Sequence, residues 1–347
     1  MRLAVLGLNH GYKFAQDLLN LDGAELVAVA GNDTLAKERA ASLDVPLFAD
    51  YRELLEECEI DGAIITLPNQ LHLEAVRECA TRGTDVLVEK PIASTVEEGS
   101  EMVRIAHEAG IKLLVGHHRR FSNKIQRLKE VIDSGKIGDL VGVNMIFAVA
   151  KDRAYFWEKW RVSKSGGGPL LINAAHDIDT IRYVTGLTVD RVYASSQNHI
   201  RGNEVEDTAS ILLETEEGVT MNYFLSDGVP APWSYEFTTG ENPKYPYYED
   251  ADCYYFFGTK GSIAFPSMKY YSYDEDKYGW DHPLSIENLD AEEDNDPMTS
   301  ELQHFISVLH DNTPLLVTGE DAVETLKIVL AIKQSAEEKK IVQVQLP

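Results

Sequence analysis

The first 120 residues alternate short apolar segments with segments of helical periodicity, and this alternation constrains the fold more than any other feature of the chain. Repeated strand–helix–strand units give a parallel sheet with helices on both faces. Strands are predicted at Arg2–Gly7, Glu25–Gly31, Gly62–Leu67, Asp85–Glu89 and Lys112–Gly116. Helices are predicted at Tyr12–Asn20, Thr34–Leu43, Tyr51–Cys58, Leu71–Arg82 and Thr95–Ala109. We therefore expect an α/β first domain over residues 1–120.

The pattern changes after Phe121, where strand-like segments follow one another between flanking helices. A long apolar strand is predicted at Leu140–Ala150, and the run Gly166–Gly168 leads into a helix that ends near Tyr183. Further strands are predicted at Arg191–Ser196, Thr208–Leu213, Gly218–Leu225, Trp233–Thr238, Cys253–Phe257 and Gly261–Phe265. This succession favours an α+β second domain over residues 121–347, built on a large open, mainly antiparallel sheet.

The charge of the chain is strongly negative and unevenly distributed. Its 347 residues include 57 acidic and 32 basic ones, a formal charge of −25. Such a charge repels phosphate backbones, whose binding depends on Lys and Arg, so neither nucleic acid nor an anionic membrane is an expected partner. Residues 201–301 hold 23 acidic and 5 basic residues, whereas residues 121–200 hold 8 and 11. The acidic segment indicates a peripheral surface, at a pocket rim or a subunit contact.

The cysteines and the N-terminus indicate a cytoplasmic location. Cys58, Cys79 and Cys253 form no closely spaced pair and leave an odd thiol, which is typical of a reducing compartment. Met1 and Arg2 lead directly into an apolar strand without the pattern of a signal peptide. No apolar run approaches the roughly 18 residues that a membrane span needs.

The segment Gly7-Leu8-Asn9-His10-Gly11 follows the first strand and opens a helix. A turn of this kind lets a pyrophosphate approach backbone amides at a helix N-terminus. The match to the Gly-x-Gly-x-x-Gly pattern is incomplete, because Asn9 and Tyr12 occupy two of the glycine positions. Asn tolerates left-handed backbone better than most residues. A dinucleotide-binding turn and an ordinary strand–helix turn therefore both remain open.

The second strand ends at Asn32-Asp33, where an acidic side chain can bind ribose hydroxyls. No arginine follows at once to receive a 2′-phosphate, which slightly favours NAD over NADP. Asp33 as the N-cap of a helix beginning at Thr34 is an equally good interpretation.

Several further motifs follow in a fixed order along the chain. They are Thr66-Leu67-Pro68-Asn69-Gln70-Leu71-His72, Glu89-Lys90-Pro91, Gly116-His117-His118-Arg119-Arg120-Phe121, Trp160-Arg161, the glycine run that leads to His176, Glu206-Asp207-Thr208 and Gly258-Thr259-Lys260-Gly261. Together they resemble the glucose–fructose oxidoreductase / inositol dehydrogenase / MocA family over nearly the whole chain. The resemblance implies a Rossmann domain and a sheet domain that forms a homodimer or homotetramer. It also implies hydride transfer between NAD or NADP and a carbinol of a sugar, polyol or inositol-like substrate.

The resemblance also assigns roles to single residues. Lys90 matches the catalytic lysine and His176 the proton-transferring histidine. The predicted cofactor-binding residues are Gly7, Leu8, Asn9, His10, Gly11, Asn32, Asp33, Leu67, Pro68, Asn69, His72, Glu89, Lys90, Pro91 and His118. The predicted substrate-binding residues are His118, Arg119, Trp160, Arg161, Asn173 and Asp179.

The chemistry of these residues suits the implied reaction. Loss of a hydride from a carbinol leaves an oxygen that must lose a proton, and imidazole is an effective base near neutral pH. An ammonium group such as that of Lys90 stabilises negative charge on the oxygen. Asn173, His176 and Asp179 are three residues apart on one predicted helix, so that Asp179 can hold the imidazole tautomer and Asn173 can meet substrate hydroxyls. A histidine satisfied by its helix neighbours is the alternative.

One position departs from the family pattern. Many members carry Asp four residues before this histidine, where the present chain has Ile172. His176 is therefore expected to act as the base with Lys90 and without that carboxylate partner.

The adjacent residues His117 and His118 do not predict a metal site, because neighbouring side chains on a strand end point to opposite faces and no Cys or acidic cluster completes a tetrahedral set. Arg119 and Arg120 are expected either to hold substrate or cofactor phosphate or to form salt bridges with the acidic second domain. Trp160-Arg161 either lines the pocket or braces its loop. Two other functions stay open: an NAD-dependent glycosidase and a non-catalytic dinucleotide-sensing regulator.

Overall fold

The computed structural model describes residues 1–164, 166–289 and 295–344, which fall into two compact units. Unit 1 comprises residues 1–121 and 296–326, and unit 2 comprises residues 122–295 and the chain from Lys327 onward. The first domain predicted from the sequence ends within one residue of the first break. The predicted second domain differs, because it included residues 296–326.

Unit 1 is built on a parallel sheet. Its strands are β1 (Arg2–Leu6), β2 (Glu25–Ala30), β3 (Leu47–Phe48), β4 (Gly62–Ile65), β5 (Asp85–Glu89) and β6 (Leu113–Gly116). The helices between them are α1 (Tyr12–Leu18), α2 (Ala36–Leu43), α3 (Tyr51–Glu57), α4 (His72–Ala80) and α5 (Val96–Ala109). Within the described residues the strands pair in the order β3-β2-β1-β4-β5-β6 and run parallel. This order reverses beside β1 and β4, which is where open α/β sheets bind ligands at the strands' carboxyl ends.

Local sequence signals set the limits of these elements. Strands β4 and β6 are buried along their whole length, as expected of parallel strands covered on both faces. Helix α5 begins at a capping box, in which the Thr95 side chain accepts from Glu98 N and the Glu98 side chain accepts from Thr95 N, both at 3.2 Å. It ends at Gly110, whose φ of 69° is the left-handed conformation typical of a helix C-cap.

Unit 2 is built on a larger sheet. Its strands are β7 (Leu140–Ala148), β8 (Val189–Gln197), β9 (Thr208–Thr215), β10 (Thr220–Ser226), β11 (Tyr254–Gly258), β12 (Ser262–Phe265), β13 (Lys269–Ser272), β14 (Ser285–Asn288) and β15 (Val342–Gln343). Its helices are α6 (Asn123–Asp133), α7 (Pro169–Ile172), α8 (Ala174–Thr185) and α9 (Tyr235–Thr238). In the part of the chain that the structure describes, the strand order is β14-β13-β12-β11-β7-β10-β9-β8-β15. Only β7 and β10 pair in parallel there, which confirms the predicted mainly antiparallel sheet.

Two C-terminal helices follow, α10 (Pro297–Asp311) and α11 (Gly319–Glu338). The Lys112 side chain donates to the carbonyl of Val308, and Leu114 pairs with Thr318 in an isolated bridge. Arg120 forms an ion pair with Asp321. These contacts place residues 296–326 in unit 1 and correct the predicted domain boundary.

The two faces of the large sheet differ. Alternate residues of the central strands, such as Met145 and Tyr223, are buried in one apolar cluster with residues of α6, α8 and the C-terminal part of α11. The opposite face carries exposed apolar side chains, namely Tyr193, Phe224, Phe257 and Ile286. Cross-strand register places these side chains on one face.

One predicted strand is wrong. Trp233–Thr238 was expected to be a strand because of its aromatic and Thr residues, but Tyr235–Thr238 forms helix α9. The Ser234 hydroxyl caps this helix by accepting from Phe237 N at 3.3 Å. Among the described helices, none combines the length and apolar character that crossing a membrane would require.

Candidate functional site

The turn after β1 requires its two glycines. Gly7 has a φ of 107°, and a Cβ at this position would lie 2.7 Å from the carbonyl carbon of Thr66. A Cβ on Gly11 would lie 2.6 Å from the Thr66 hydroxyl oxygen. Asn9 and His10, between the glycines, are exposed, whereas the Leu8 side chain is buried. The turn therefore offers a bare backbone at the carboxyl end of β1, the kind of cradle that a pyrophosphate fits.

The guanidinium group of Arg39 lies beside the carboxylate of Asp33, which follows β2. Asp33 accepts from Leu35 N at 2.8 Å, and its other oxygen lies 3.5 Å from a guanidinium nitrogen of Arg39. The same guanidinium donates to the carbonyl of Leu8 at 3.1 Å and to Asn9 Oδ1 at 3.3 Å. Asp33 thus holds the turn that leads into α2, but the predicted N-cap role is wrong, because the helix begins at Ala36 after Leu35 and no side chain among the described residues caps it. Arg39 was missed by the sequence analysis, because it lies six residues beyond Asp33 and outside any recognised spacing.

The segment after β4 is held by a buried histidine. His72 is fully buried, with Nε2 at 2.8 Å from the carbonyl of Leu67 and Nδ1 at 3.1 Å from that of Ile92. Burial lowers the pKa of His72 below its ordinary value. The structure corrects the prediction that His72 contacts the cofactor, since the side chain joins the ends of two strand–helix connections instead. Pro68 is exposed, and Leu67 and Asn69 are partly exposed.

Positively charged groups lie around the Glu89 carboxylate at the end of β5. One of its oxygens accepts from His10 Nε2 at 3.1 Å, and the other accepts from the backbone N of Lys90 at 3.0 Å. The Glu89 side chain is 11% exposed and that of His10 is 62% exposed. Although burial opposes it, the charges of His10, Lys90 and His118 lower the pKa of Glu89 to about 2. In return, the charge of Glu89 raises the pKa of His10.

Lys90 and His118, which follow β5 and β6, are more accessible than the residues that precede them. Both are partly exposed, whereas Glu89 and His117 are buried. The Lys90–Pro91 peptide bond is cis. Arg119 is 4% exposed, which corrects the prediction that it contacts substrate. Its neighbour Arg120 is equally buried and pairs with Asp321, which the prediction placed in the second domain and the structure places in unit 1.

In unit 2 the glycine run leads into α7 and α8. Gly168 has a φ of 84°, and a Cβ at this position would lie 2.8 Å from the carboxyl carbon of Glu206. Glu206 accepts from Leu170 N at 2.9 Å, so its carboxylate fixes the start of α7. Burial raises the pKa of Glu206 to about 7, in spite of that hydrogen bond.

Helix α8 separates the residues that the sequence analysis placed on one face. Asn173 and His176 are partly exposed, but Asp179 is 1% exposed. Asp177 is also buried and accepts hydrogen bonds from the hydroxyls of Tyr223 and Tyr254. The burial of Asp179 corrects the prediction that it contacts substrate, because a residue that is 1% exposed offers no surface to a ligand.

A loop of aromatic and basic residues lies next to Asn173. Arg161 donates to the carbonyl of Tyr155 at 3.0 Å, and its guanidinium lies 4.1 Å from the Tyr155 ring centre and 5.3 Å from that of Trp160. Arg161 thus braces this loop, and Trp160 is half exposed. Lys151 donates to Asn173 Oδ1 at 2.7 Å. Lys151 and Tyr155 were missed by the sequence analysis, because no motif marks a residue that enters a site from the end of a strand.

The predicted residues therefore form two groups. The turn after β1, Asp33, the segment after β4, Glu89–Pro91 and His118 belong to unit 1 and follow the carboxyl ends of its strands. Trp160, Arg161, Asn173 and His176 belong to unit 2. The first group offers a backbone cradle and a fixed lysine, and the second offers an imidazole beside hydrogen-bonding groups.

Comparisons with known proteins identify the family of both parts of the chain. Residues 1–117 match the oxidoreductase family with an NAD-binding Rossmann fold, and residues 125–264 match the GFO/IDH/MocA C-terminal domain. The myo-inositol 2-dehydrogenase of Thermotoga maritima is 26% identical over 358 residues, covering 99% of this chain and 99% of that enzyme. The 1,5-anhydro-D-fructose reductase of Ensifer adhaerens is 32% identical over 189 residues, 54% of each chain. An oxidoreductase from Agrobacterium radiobacter, solved with NAD+, L-tartaric acid and magnesium, shares the fold with a TM-score of 0.83 at 19% identity, covering 99% of this chain and 98% of that one.

Proposed function

Because the chain belongs to the glucose–fructose oxidoreductase / inositol dehydrogenase / MocA family through both of its domains, we propose that this NAD(P)-dependent oxidoreductase transfers a hydride between nicotinamide and a carbinol of a sugar, polyol or inositol-like substrate. The observation that carries the proposal is the end of β5, where the buried carboxylate of Glu89 fixes the backbone of a partly exposed Lys90. An ammonium group held at this edge of a parallel sheet lies where such sheets bind their ligands.

The residues that would hold the dinucleotide follow the strands of unit 1. Gly7 and Gly11 let the first turn pack closely against Thr66, which a side chain at either position would prevent, and this packing sets the turn at the helix N-terminus where a pyrophosphate would bind. Asp33 and Arg39 stand where the adenosine ribose of a dinucleotide lies in this fold. The carboxylate suits a ribose hydroxyl and the guanidinium suits a 2′-phosphate, so the pair is compatible with NAD and with NADP. The bound nicotinamide supplies or accepts the hydride.

Two residues of the chain act on the carbinol oxygen: one stabilises its charge and the other transfers its proton. Lys90 donates a hydrogen bond to this oxygen and stabilises the negative charge that develops as the hydride leaves the adjacent carbon. His176 takes the hydroxyl proton and returns it in the reverse reaction, a role worth roughly 10²–10⁴-fold in rate. Ile172 occupies the position at which many family members carry an aspartate.

The substrate class rests on the relatives. The names of the two enzymes reported above describe an inositol dehydrogenase and an anhydrosugar reductase, and both reactions interconvert a ring carbinol and a carbonyl. An NAD-dependent glycosidase is the second candidate, since it would oxidise a carbinol transiently and release a free sugar. A cytoplasmic location and a homo-oligomer assembled through the open face of the unit 2 sheet remain predictions.

Binding and turnover test the proposal directly. Titration with NADH and with NADPH, followed by fluorescence, should show saturable binding of at least one of them. Incubation with NAD and a panel of sugars and inositols should then reduce the nicotinamide in proportion to the substrate consumed. Binding of neither dinucleotide, or binding without turnover of any compound, would contradict the proposal. Release of free sugar with no net reduction would support the glycosidase instead.

A further inference from the structure

The ammonium group of Lys151 is enclosed in unit 2 and has no part in the mechanism derived above. Lys151 follows strand β7, where its backbone N donates to the carbonyl of Asp227 at 3.0 Å and its neighbour Ala150 bridges to Gly228. The Lys151 side chain is 13% exposed. Its position is therefore fixed by the backbone at one end and by burial at the other.

Three groups surround the Lys151 ammonium. It donates to Asn173 Oδ1 at 2.7 Å and to the Tyr155 hydroxyl oxygen at 3.2 Å. A carboxylate oxygen of Asp227 lies 3.8 Å away, and that carboxylate is also paired with Arg201. Asp227 therefore keeps a partner of its own if Lys151 is replaced.

The hydrogen bonds from Lys151 fix the orientation of the Asn173 amide and the Tyr155 hydroxyl. An ammonium group has three donors and no acceptor, so it fixes the oxygen of the Asn173 amide towards itself. The amide NH2 of Asn173, which only donates, is then directed elsewhere. The Tyr155 oxygen likewise accepts from Lys151, which leaves its O–H to donate to another group. Burial raises the pKa of Tyr155 to about 12, so this proton is retained at neutral pH.

Asn173 connects this arrangement to the proposed base. It lies three residues before His176, its carbonyl accepts from His176 N at 3.1 Å, and both side chains are partly exposed. The intervening residues Ala174 and Ala175 are buried. The preceding residue, Ile172, adds no polar group. The start of α8 thus presents hydrogen-bond donors next to His176.

We propose that Lys151 is a positioning residue of the substrate site, which fixes Asn173 and Tyr155 as hydrogen-bond donors towards one oxygen of the substrate. The inference rests on the proposed function, and it goes further by stating what the substrate must offer there. The recognised group is an oxygen that accepts hydrogen bonds close to the reacting carbinol. A neighbouring hydroxyl and a carboxylate both supply such an oxygen.

The experiment compares the substitution Lys151→Met with wild type on three probes: myo-inositol, D-glucose and D-glucuronate. Methionine keeps much of the length and apolar contact of the lysine stem but cannot donate. For each probe that wild type turns over, KM should rise about 10–100-fold, as expected when the two neutral hydrogen bonds from Asn173 and Tyr155 to the substrate are lost, while kcat changes much less. Preference for D-glucuronate by wild type identifies a carboxylate as the recognised group, and preference for a neutral probe identifies a hydroxyl.

A double substitution separates positioning from a general structural effect. In an Asn173→Ala, Tyr155→Phe background, Lys151→Met should raise KM less than about threefold further, because the groups that it orients are already gone. The exposed lysine variant Lys277→Met, outside the loop that carries Tyr155 and Trp160, is the matched control and should leave KM within about twofold of wild type. Calorimetric binding of the same probe to the NADH complex gives the dissociation constant if kcat becomes too small to measure.

The outcomes are distinct. A wild-type protein that turns over neither these probes nor any other compound of the sugar and inositol panel contradicts the proposed function, whereas an active wild type with an unchanged KM in Lys151→Met overturns only the role of Lys151. An effect of Lys151→Met that persists in full in the double-substituted background overturns it as well. If Lys151→Met does not fold, Tyr155→Phe alone should still raise KM about 3–10-fold, and no rise in that variant rejects the inference.

Discussion

At the scale of single residues, the carboxylate of Glu89 organises the edge of the unit 1 sheet. It accepts from His10 on one side and from the backbone of Lys90 on the other. The motif Glu89-Lys90-Pro91 was visible in the sequence, but the partner His10 is 79 positions away and only the fold brings it near. The same limit explains Arg39 and Lys151, whose roles depend on tertiary contacts that no local pattern records.

The pKa of His10 depends on this contact. The charge of Glu89 raises that pKa, whereas burial and the charge of Lys90 lower it. The substitution Glu89→Gln removes the raising charge, so the pKa of His10 should fall below its ordinary value of 6.5. An NMR titration of the His10 ring protons measures it, with wild type as the reference. An unchanged midpoint would show that the pair does not exist in solution.

Proton transfer by His176 is tested by its removal. His176→Ala should abolish turnover, with kcat falling by about 10²–10⁴-fold, because no other side chain is assigned to take the carbinol proton. Affinity for NADH should remain nearly intact, since the residues that we propose to hold the dinucleotide belong to unit 1. Steady-state kinetics and NADH titration report the two properties separately. Wild-type turnover in this variant would refute the assignment.

At the scale of elements, the regular strands and helices of unit 1 followed from periodicity, and the exceptions have physical causes. The segment of helix α9 was predicted as a strand because aromatic residues favour strands. It forms a helix because the hydroxyl cap from Ser234 outweighs that preference. Strand β14 was missed because all of its residues are exposed, so it lacks the alternation that marks a half-buried strand. Its pairing with β13 is a tertiary contact.

The start of α7 should become more stable at neutral pH without the charge of Glu206. The folded protein holds the pKa of Glu206 at about 7, above its ordinary value of 4.5, chiefly through burial. The wild-type protein therefore loses stability as pH rises from the ordinary value through about 7, by at most about 3 kcal/mol. Glu206→Gln keeps the acceptor for Leu170 N and avoids this loss.

Urea denaturation of wild type and Glu206→Gln measures the effect. The variant should be the more stable protein at about pH 8, and its advantage should shrink towards about pH 5. An advantage that does not depend on pH would mean that Glu206 is not protonated in the folded state near neutrality.

At the scale of the whole molecule, the chain leaves unit 1 after residue 121 and returns to it at residues 296–326. Sequence reasoning could not foresee this return, because the contacts of α10 and α11 with unit 1 span about two hundred residues of sequence. The negative charge belongs mainly to residues 201–301, which contribute much of unit 2, and Lys90 and His176 lie outside that segment. The negative charge argues against nucleic acid and anionic membranes as partners, but it does not identify the reaction.

The open face of the unit 2 sheet should be the subunit contact. Its exposed apolar side chains include Phe224, for which a contact with a second copy would provide burial. Phe224→Lys should lower the molar mass measured by light scattering towards the 38.8 kDa of a single chain. The control Leu19→Lys changes an exposed apolar residue of unit 1 and should leave the mass unchanged. A wild-type protein that is already monomeric would contradict the prediction.

The transfer of hydrogen from a carbinol carbon to nicotinamide is the central claim, and isotope tracing measures it most directly. A sugar or inositol that the enzyme turns over is labelled with deuterium at the reacting carbon and incubated with NAD or NADP. Mass spectrometry of the reduced dinucleotide should show one deuterium per molecule formed, because the hydride moves directly from carbon to nicotinamide. Reduced dinucleotide without deuterium, or consumption of substrate without any reduced dinucleotide, would contradict the account.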